Sequence, residues 1–217
     1  QHLCLDAGQH TTCVECGSGD GLPVINALKR TTFAGDIFGF EINADAARLA
    51  QSNIAATQTQ TMYRVKNSCF FASIHCFAPQ TCLIANPPYI PASDPDQLIM
   101  PELWGGPDGG TLLRRLFETH FSSLVLLIPS ISNPVQTIHY GLGQGYFVHS
   151  YLLTSLPFGA YTSQEHVQER LSDMRSQRIS FYFSNHYILA GVLFCKVRPT
   201  ESKRAKSLIQ ALTINDL

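Results

Sequence analysis

A strand, a turn made of glycines and a helix, in that order, leave a chain few ways to fold. His10-Thr11-Thr12-Cys13-Val14-Glu15 reads as a β-strand, Cys16-Gly17-Ser18-Gly19-Asp20-Gly21 follows as a loop, and residues 22–30 read as a helix. This is half of a nucleotide-binding unit, in which glycines permit a tight turn and let a ligand approach the backbone closely. The alternative is a purely structural turn. The pattern then repeats: Asp36-Ile37-Phe38-Gly39-Phe40-Glu41 reads as a second strand, followed by a helix over 44–56 with Asn43 as its N-cap. The apolar run Thr81-Cys82-Leu83-Ile84-Ala85 has the length of a buried parallel strand and is stopped by two prolines. The expected class is α/β, with ligands just outside the carboxyl ends of the strands.

The loop's spacing bears on the ligand. In the dinucleotide fingerprint Gly-x-Gly-x-x-Gly a third glycine would stand where this chain has Leu22; Gly21 comes one residue early. Glu15 stands two residues before Gly17, and Asp20 lies inside the loop. Two acids beside a pyrophosphate would be repelled by it. They suit a ligand carrying a sulfonium and an ammonium group, and S-adenosylmethionine has both and no phosphate. Glu41 closes the second strand about twenty residues beyond the loop, where ribose-binding carboxylates are expected. Ile42 is then placed to pack on an adenine. The competing reading of Glu41 is an ordinary surface acid ahead of a helix.

Asn86-Pro87-Pro88-Tyr89 follows the third apolar run. The Asn86 side-chain carbonyl can accept one hydrogen of an amide or amino group, and the Pro87 carbonyl, with no neighbouring N–H to compete, can accept the other. Tyr89 can stack on a planar target. Holding both hydrogens turns the nitrogen lone pair toward an electrophile, which is catalysis by orientation. An Asn-Pro-Pro sequence is also an ordinary turn with a fixed exit.

Glu15 to Gly21, Phe40-Glu41-Ile42-Asn43-Ala44-Asp45-Ala46-Ala47 and Asn86 to Tyr89 resemble motifs of the class I S-adenosylmethionine-dependent methyltransferases, in the branch that methylates amino or amide nitrogens. Gly105-Gly106-Pro107-Asp108-Gly109-Gly110 is similar to the Gly-Gly-x-Asp-Gly stretch of the release-factor glutamine N5-methyltransferases. The resemblance covers roughly residues 10–130. It implies a Rossmann-like seven-stranded sheet, mostly parallel, with helices on both faces and an antiparallel terminal pair. It further implies S-adenosylmethionine over Glu15, Gly17, Ser18, Gly19, Asp20, Gly21, Glu41, Ile42, Ser68, Cys69 and Asn86, with Asn86, Pro87, Pro88 and Tyr89 on the substrate. Where relatives carry an acid and an aromatic near the adenine, this chain has Ser68 and Cys69, and where they tend to carry Glu-Ile-Gly after the fifth strand it has Leu127-Ile128-Pro129-Ser130. These departures bear on the substrate. A protein glutamine, as in a translation release factor, is the preferred acceptor; a base amino group of RNA or DNA is the first alternative, and a non-catalytic methyltransferase-like subunit the second.

With 217 residues, 45% of them apolar, the chain is expected to form one methyltransferase domain over 1–200 and a polar, solvated tail over 201–217. Further helices are expected over 111–120 and 134–141, a strand over 124–128, and a terminal strand pair over 147–156 and 187–197. Between that pair lies an insertion, 157–185, with a polar helical stretch over 163–178 that is a candidate for substrate contact. Gly141-Leu142-Gly143-Gln144-Gly145 follows a helix and precedes a strand, so it reads as a helix stop. No run approaches a membrane span and no signal sequence is visible, which points to the cytoplasm. Cys13 and Cys16 have the spacing of half a zinc site, but side chains an odd number of residues apart on a strand face opposite ways, and no second pair follows. All seven cysteines are therefore expected as free buried thiols, with no metal. A formal net charge of −1 argues mildly against a nucleic-acid groove. Release-factor enzymes carry a helical substrate domain ahead of the glycine loop, and what precedes Gln1 is left open.

Overall fold

The computed structural model describes residues 12–57, 59, 62–198 and 203–214. His10 and Thr11 of the expected first strand lie outside them. A seven-stranded sheet runs in the order Tyr63–Asn67, Asp36–Glu41, Thr12–Cys16, Cys82–Ala85, Ser123–Pro129, His186–Cys195, Phe147–Pro157. By contacts the chain divides into two compact units, one ending at Asn86 and taking in His120–Leu126, the other formed by Pro87–Thr119 and the chain from Leu127 onward.

In the first unit β1 (Thr12–Cys16), α1 (Leu22–Leu28), β2 (Asp36–Glu41), α2 (Ala44–Ala56), β3 (Tyr63–Asn67), α3 (Phe70–Ser73) and β4 (Cys82–Ala85) alternate, with a 3-10 turn over Ile74–Cys76 after α3. β1 pairs in parallel with β2 and β4, and β2 with β3. Cys13, Val14, Ile37, Leu83 and Ile84 are almost fully buried. Burial on this scale contributes about 1.5–3 kcal/mol for each large aliphatic side chain. The bounds of β2 and α2 are those expected. Asn43 caps α2, its side chain accepting from the N–H groups of Asp45 (3.0 Å) and Ala46 (3.1 Å). Ala47, Ala50 and Ile54 then recur on one face and are buried, as an amphipathic helix requires.

In the second unit α4 (Thr111–Leu116) is shorter than expected. β5 (Ser123–Pro129) enters this unit at Leu127, and α5 (Pro134–Gly143), β6 (Phe147–Pro157), α6 (Glu165–Ser176), β7 (His186–Cys195) and α7 (Arg204–Leu212) follow. β6 and β7 are antiparallel, with a register shift between Val148 and Ser150. The insertion does hold a helix, α6, but its apolar face is internal. Val167 and Leu171 join Ile90, Ala92, Leu98, Ile131 and Tyr187 in one buried cluster. The insertion is also tied to the end of β5: Ser130 Oγ donates to Phe181 O (2.6 Å) and accepts from Ile188 N–H (3.0 Å), and Asn133 N–H donates to Ile179 O (3.0 Å).

Two expectations are corrected, the solvated tail and the free buried cysteines, and the helix stop over 141–145 is located at its last glycine. The chain from Lys203 is no solvated tail but carries α7, whose Leu208 and Leu212 are fully buried one turn apart. Cys82 is disulfide-bonded rather than free. Of the free cysteines, Cys69 and Cys76 are exposed, while Cys13 and Cys16 are buried. Gly141 and Gly143 lie inside the last turns of α5, and the stop is Gly145 at φ 83°.

The cap at Asn43 gives a direct stability test. Asn43→Ala is expected to cost about 1 kcal/mol, lowering the denaturant midpoint with an unchanged slope; no shift would show that the cap is idle.

Candidate active site

The parallel registers bring several loops to one edge. Cys16 lies opposite both Phe40 and Ala85, and Glu41 opposite Asn67. The glycine loop, Glu41-Ile42, Ser68-Cys69 and Asn86 therefore all leave the sheet at the same end. Asn86 itself is exposed there.

The loop is held from below and open above. Gly17 N–H (2.9 Å) and Ser18 N–H (3.3 Å) both donate to Phe40 O, and Gly21 N–H donates to Ser18 O (3.0 Å). Gly17 and Gly19 are left-handed, at φ 74° and 54°, and a Cβ built on either would meet nothing within 4 Å. Both thus leave space where a ligand would lie. Gly21 differs, because its added Cβ would come within 3.3 Å of Ala50 Cβ and Tyr63 Cε1. Its absent side chain makes room for helix packing. Asp20 serves the loop's exit: its Oδ1 accepts from Leu22 N–H (3.0 Å) and its carbonyl from Asn53 Nδ2 (3.0 Å).

Glu41 is the hub of this edge. Its Oε2 accepts from Gly19 N–H and its Oε1 from Asn43 N–H, each at 2.9 Å. A carboxylate has about four lone-pair sites, so each oxygen can still accept from a hydroxyl. Asn67 Nδ2 donates to the carbonyls of Glu41 (2.8 Å) and Ile42 (3.1 Å), and Ser68 N–H donates to Glu41 O (3.1 Å). Ile42 is 78% exposed beside them. Ser68 Oγ lies 3.3 Å from Ser73 Oγ, and Cys69 is exposed as the N-cap residue of α3.

Glu15 sits apart, 4% exposed. The Tyr63 hydroxyl donates to its Oε2 at 2.5 Å. Burial pushes the Glu15 carboxyl from its ordinary 4.5 up to about 7, against the lowering effect of the Tyr63 bond. Tyr63 also fills the space left by Gly39, where a Cβ would approach Val65 Cγ2 to 2.9 Å and Tyr63 Cε2 to 3.2 Å. One aromatic ring thus lies against both Gly21 and Gly39 while bonded to Glu15.

The second unit begins with the prolines. Pro87 is buried, and Pro88 and Tyr89 are half-buried. Tyr89 packs against the buried cluster, and its hydroxyl lies 2.8 Å from that of Tyr187. Its backbone is clasped. A Cβ on Gly105 would lie 2.5 Å from Tyr89 Cα, and one on Gly109 2.5 Å from Tyr89 O, so only glycine fits at either position. Ser132 Oγ donates to Tyr89 O at 2.7 Å. The glycine stretch is fixed by Asp108, which accepts from Arg114 Nη1 (3.0 Å) and Nη2 (2.8 Å), Gly110 N–H (3.1 Å) and Asn133 Nδ2 (2.8 Å). Burial raises the Asp108 pKa, but these donors outweigh it and hold the carboxyl below the ordinary value. A paired, bidentate arginine is the geometry that makes such bonds strong.

Tyr63, Asn67, Ser132 and Asn133 were not singled out by sequence. Only Asn133 carried a signal, as an Asn before the Pro at the start of α5; at φ 49° it is one of the few described non-glycine residues in the left-handed region.

No family profile matches the chain, and no curated protein sequence does. Solved structures do. A candidate RNA methyltransferase from Pyrococcus horikoshii is similar with a TM-score of 0.55 at 15% identity, over 90% of this chain and 80% of its own. A geranyl diphosphate methyltransferase, solved with geranyl diphosphate and sinefungin, gives 0.53 at 10% identity over 91% and 77%. Precorrin-6y C5,15-methyltransferase from Geobacter metallireducens gives 0.52 at 10% over 88% and 84%. At these identities the likeness is one of fold: the sheet and its helices are arranged as in these methyltransferase structures.

The buried Glu15 carboxyl makes stability depend on pH. Its folded pKa lies above the unfolded one, so its contribution is full below about pH 4.5 and is lost as pH rises through about 7. Glu15→Gln should flatten that decline in a urea-midpoint series across the same range; a parallel loss in both proteins would assign the dependence to other groups.

Proposed function

We propose that this chain is an S-adenosylmethionine-dependent N-methyltransferase whose acceptor is a planar amide nitrogen, with a protein glutamine as the preferred substrate. The observation that carries the reading is the shared edge: the open glycine loop, Glu41 with exposed Ile42, and exposed Asn86 stand at the ends of neighbouring parallel strands. The residues fit the cofactor. Gly17 and Gly19 leave room above the loop, Glu41 keeps acceptor sites for ribose hydroxyls, and Ile42 offers an apolar face to the adenine. Ser68 and Cys69, next to Glu41, complete the adenine side with one hydroxyl acceptor and one thiol. Bound there, the cofactor supplies an electrophilic methyl group.

The protein's own part is orientation. Asn86 Oδ1 and the Pro87 carbonyl accept the two hydrogens of the target nitrogen, which leaves its lone pair aimed along one line. Such positioning fails if the peptide drifts by even 1 Å. Within the second unit, Gly105, Gly109 and Ser132 fix the Tyr89 backbone, and the Asp108–Arg114 pair fixes the glycine stretch. That the stretch resembling release-factor enzymes is the one that grips Tyr89 supports the glutamine acceptor over others. Glu15 acts on the loop through Tyr63 rather than by touching the ligand. A base amino group of RNA or DNA is the second reading, favoured by the likeness to a candidate RNA methyltransferase.

Asn86→Ala is expected to abolish methyl transfer from labelled S-adenosylmethionine to a glutamine-containing peptide while calorimetry still shows cofactor binding; surviving turnover would overturn the mechanism. Glu41→Ala should weaken cofactor binding by about 1.5–3 kcal/mol, the value of hydrogen bonds to a charged group. An unchanged Kd would remove Glu41 from the site.

A further inference from the structure

The two faces of the β2–β3 pair are covered unequally. Ile37 and Gly39 on β2, and Tyr63 and Val65 on β3, are buried. Strand alternation sends Phe38, Phe40, Arg64 and Lys66 to the opposite face, and the register sets Phe38 beside Arg64 and Phe40 beside Lys66. Among the described residues, that face is met by α3, four residues long, and the 3-10 turn after it, which bury Phe40 but leave Phe38 half-buried. A helix of one turn covers little of two strands. What remains is a groove of about 510 Å3 with Phe38, Phe40 and Phe77 in its wall and Arg64, Lys66 and His75 along it.

Its chemistry is specific. None of its eleven lining residues is acidic, although the chain as a whole carries a net charge of −1. Phe38 and Phe77 are half-buried, with ring centroids 5.3 Å apart, and Arg64 lies over the Phe38 ring at 5.4 Å. Arg64 Nη1 also donates to Asp36 Oδ1 at 3.0 Å, a half-exposed pair that holds the guanidinium in place at little energetic gain. Lys66 and His75 are exposed. Half-buried aromatic rings beside basic side chains, on a thinly covered sheet face, are the elements by which proteins hold a base and its phosphate together. The volume lies within the range of small-ligand sites.

We propose that this groove binds a nucleotide unit, its base against Phe38 and Phe77 and its phosphate toward Lys66 and His75. The unit is either a free mononucleotide or one residue of a single strand. The groove opens on a sheet face rather than at the carboxyl edge, so the inference stands whichever nitrogen is methylated.

The test uses the full chain with AMP in calorimetry and a fluorescein-labelled ten-residue oligoadenylate in anisotropy, each in low and high salt. Lys66→Glu is expected to weaken binding at least tenfold, and Phe38→Leu, which keeps an apolar side chain but loses the ring, roughly fivefold or more. Affinity for S-adenosylmethionine and the melting temperature should stay as in the parent, which separates this site from the proposed active site. Tighter binding of the strand than of AMP assigns a strand to the groove, with a steep loss in salt; equal binding assigns a free nucleotide. Binding of neither probe, or binding indifferent to both substitutions, overturns the proposal.

Discussion

One tyrosine ring sets the shape of the first unit. Tyr63 is fully buried, lies against the space that Gly21 and Gly39 leave empty, and gives its hydroxyl to Glu15 forty-eight residues earlier. A side chain at either glycine would have to displace the ring or the helix above it. The glycine loop therefore rests on an aromatic floor with little freedom to sag, and Glu41 restrains it from the side through Gly19. Close packing of this kind transmits shifts, so the loop's form depends on β3 as much as on its own sequence.

The second unit solves a similar problem differently. There the held object is the backbone of Tyr89, and it is held by the absence of side chains at Gly105 and Gly109 together with one serine hydroxyl. Desolvation of Asp108 is offset by four donors, so the charged carboxylate survives in a half-buried place. Each unit is thus stiffened in its own way, the first by close fit and the second by charge pairing.

Much of this was legible in the sequence, and the illegible parts have physical reasons. β2 and α2 were readable to the residue because strand composition, an Asn cap and helical apolar spacing agree with one another. The terminal antiparallel pair was readable from its long β-rich runs. The last helix was hidden because Lys203, Arg204 and Lys206 dominate its start, while Leu208 and Leu212 give only two points of a helical period. Tyr63 gave no warning: a tyrosine in a strand is ordinary, and its bond to Glu15 depends on strand order rather than local pattern. The polar insertion read as a candidate for substrate contact because its helical stretch is polar, yet three spaced apolar residues, Val167, Leu171 and Met174, were enough to bury one side of α6.

The ties at the end of β5 set a rule for how this molecule can change. Ser130 bonds to residues on both flanks of the insertion's exit, and Asn133 reaches Ile179 through its backbone and Asp108 through its side chain. The segment over 157–185 is thus not a module that can be lengthened, shortened or exchanged by itself. A change at the exit of that segment would have to be answered by a change at Ser130 or Asn133, because the same side chains and amides hold both.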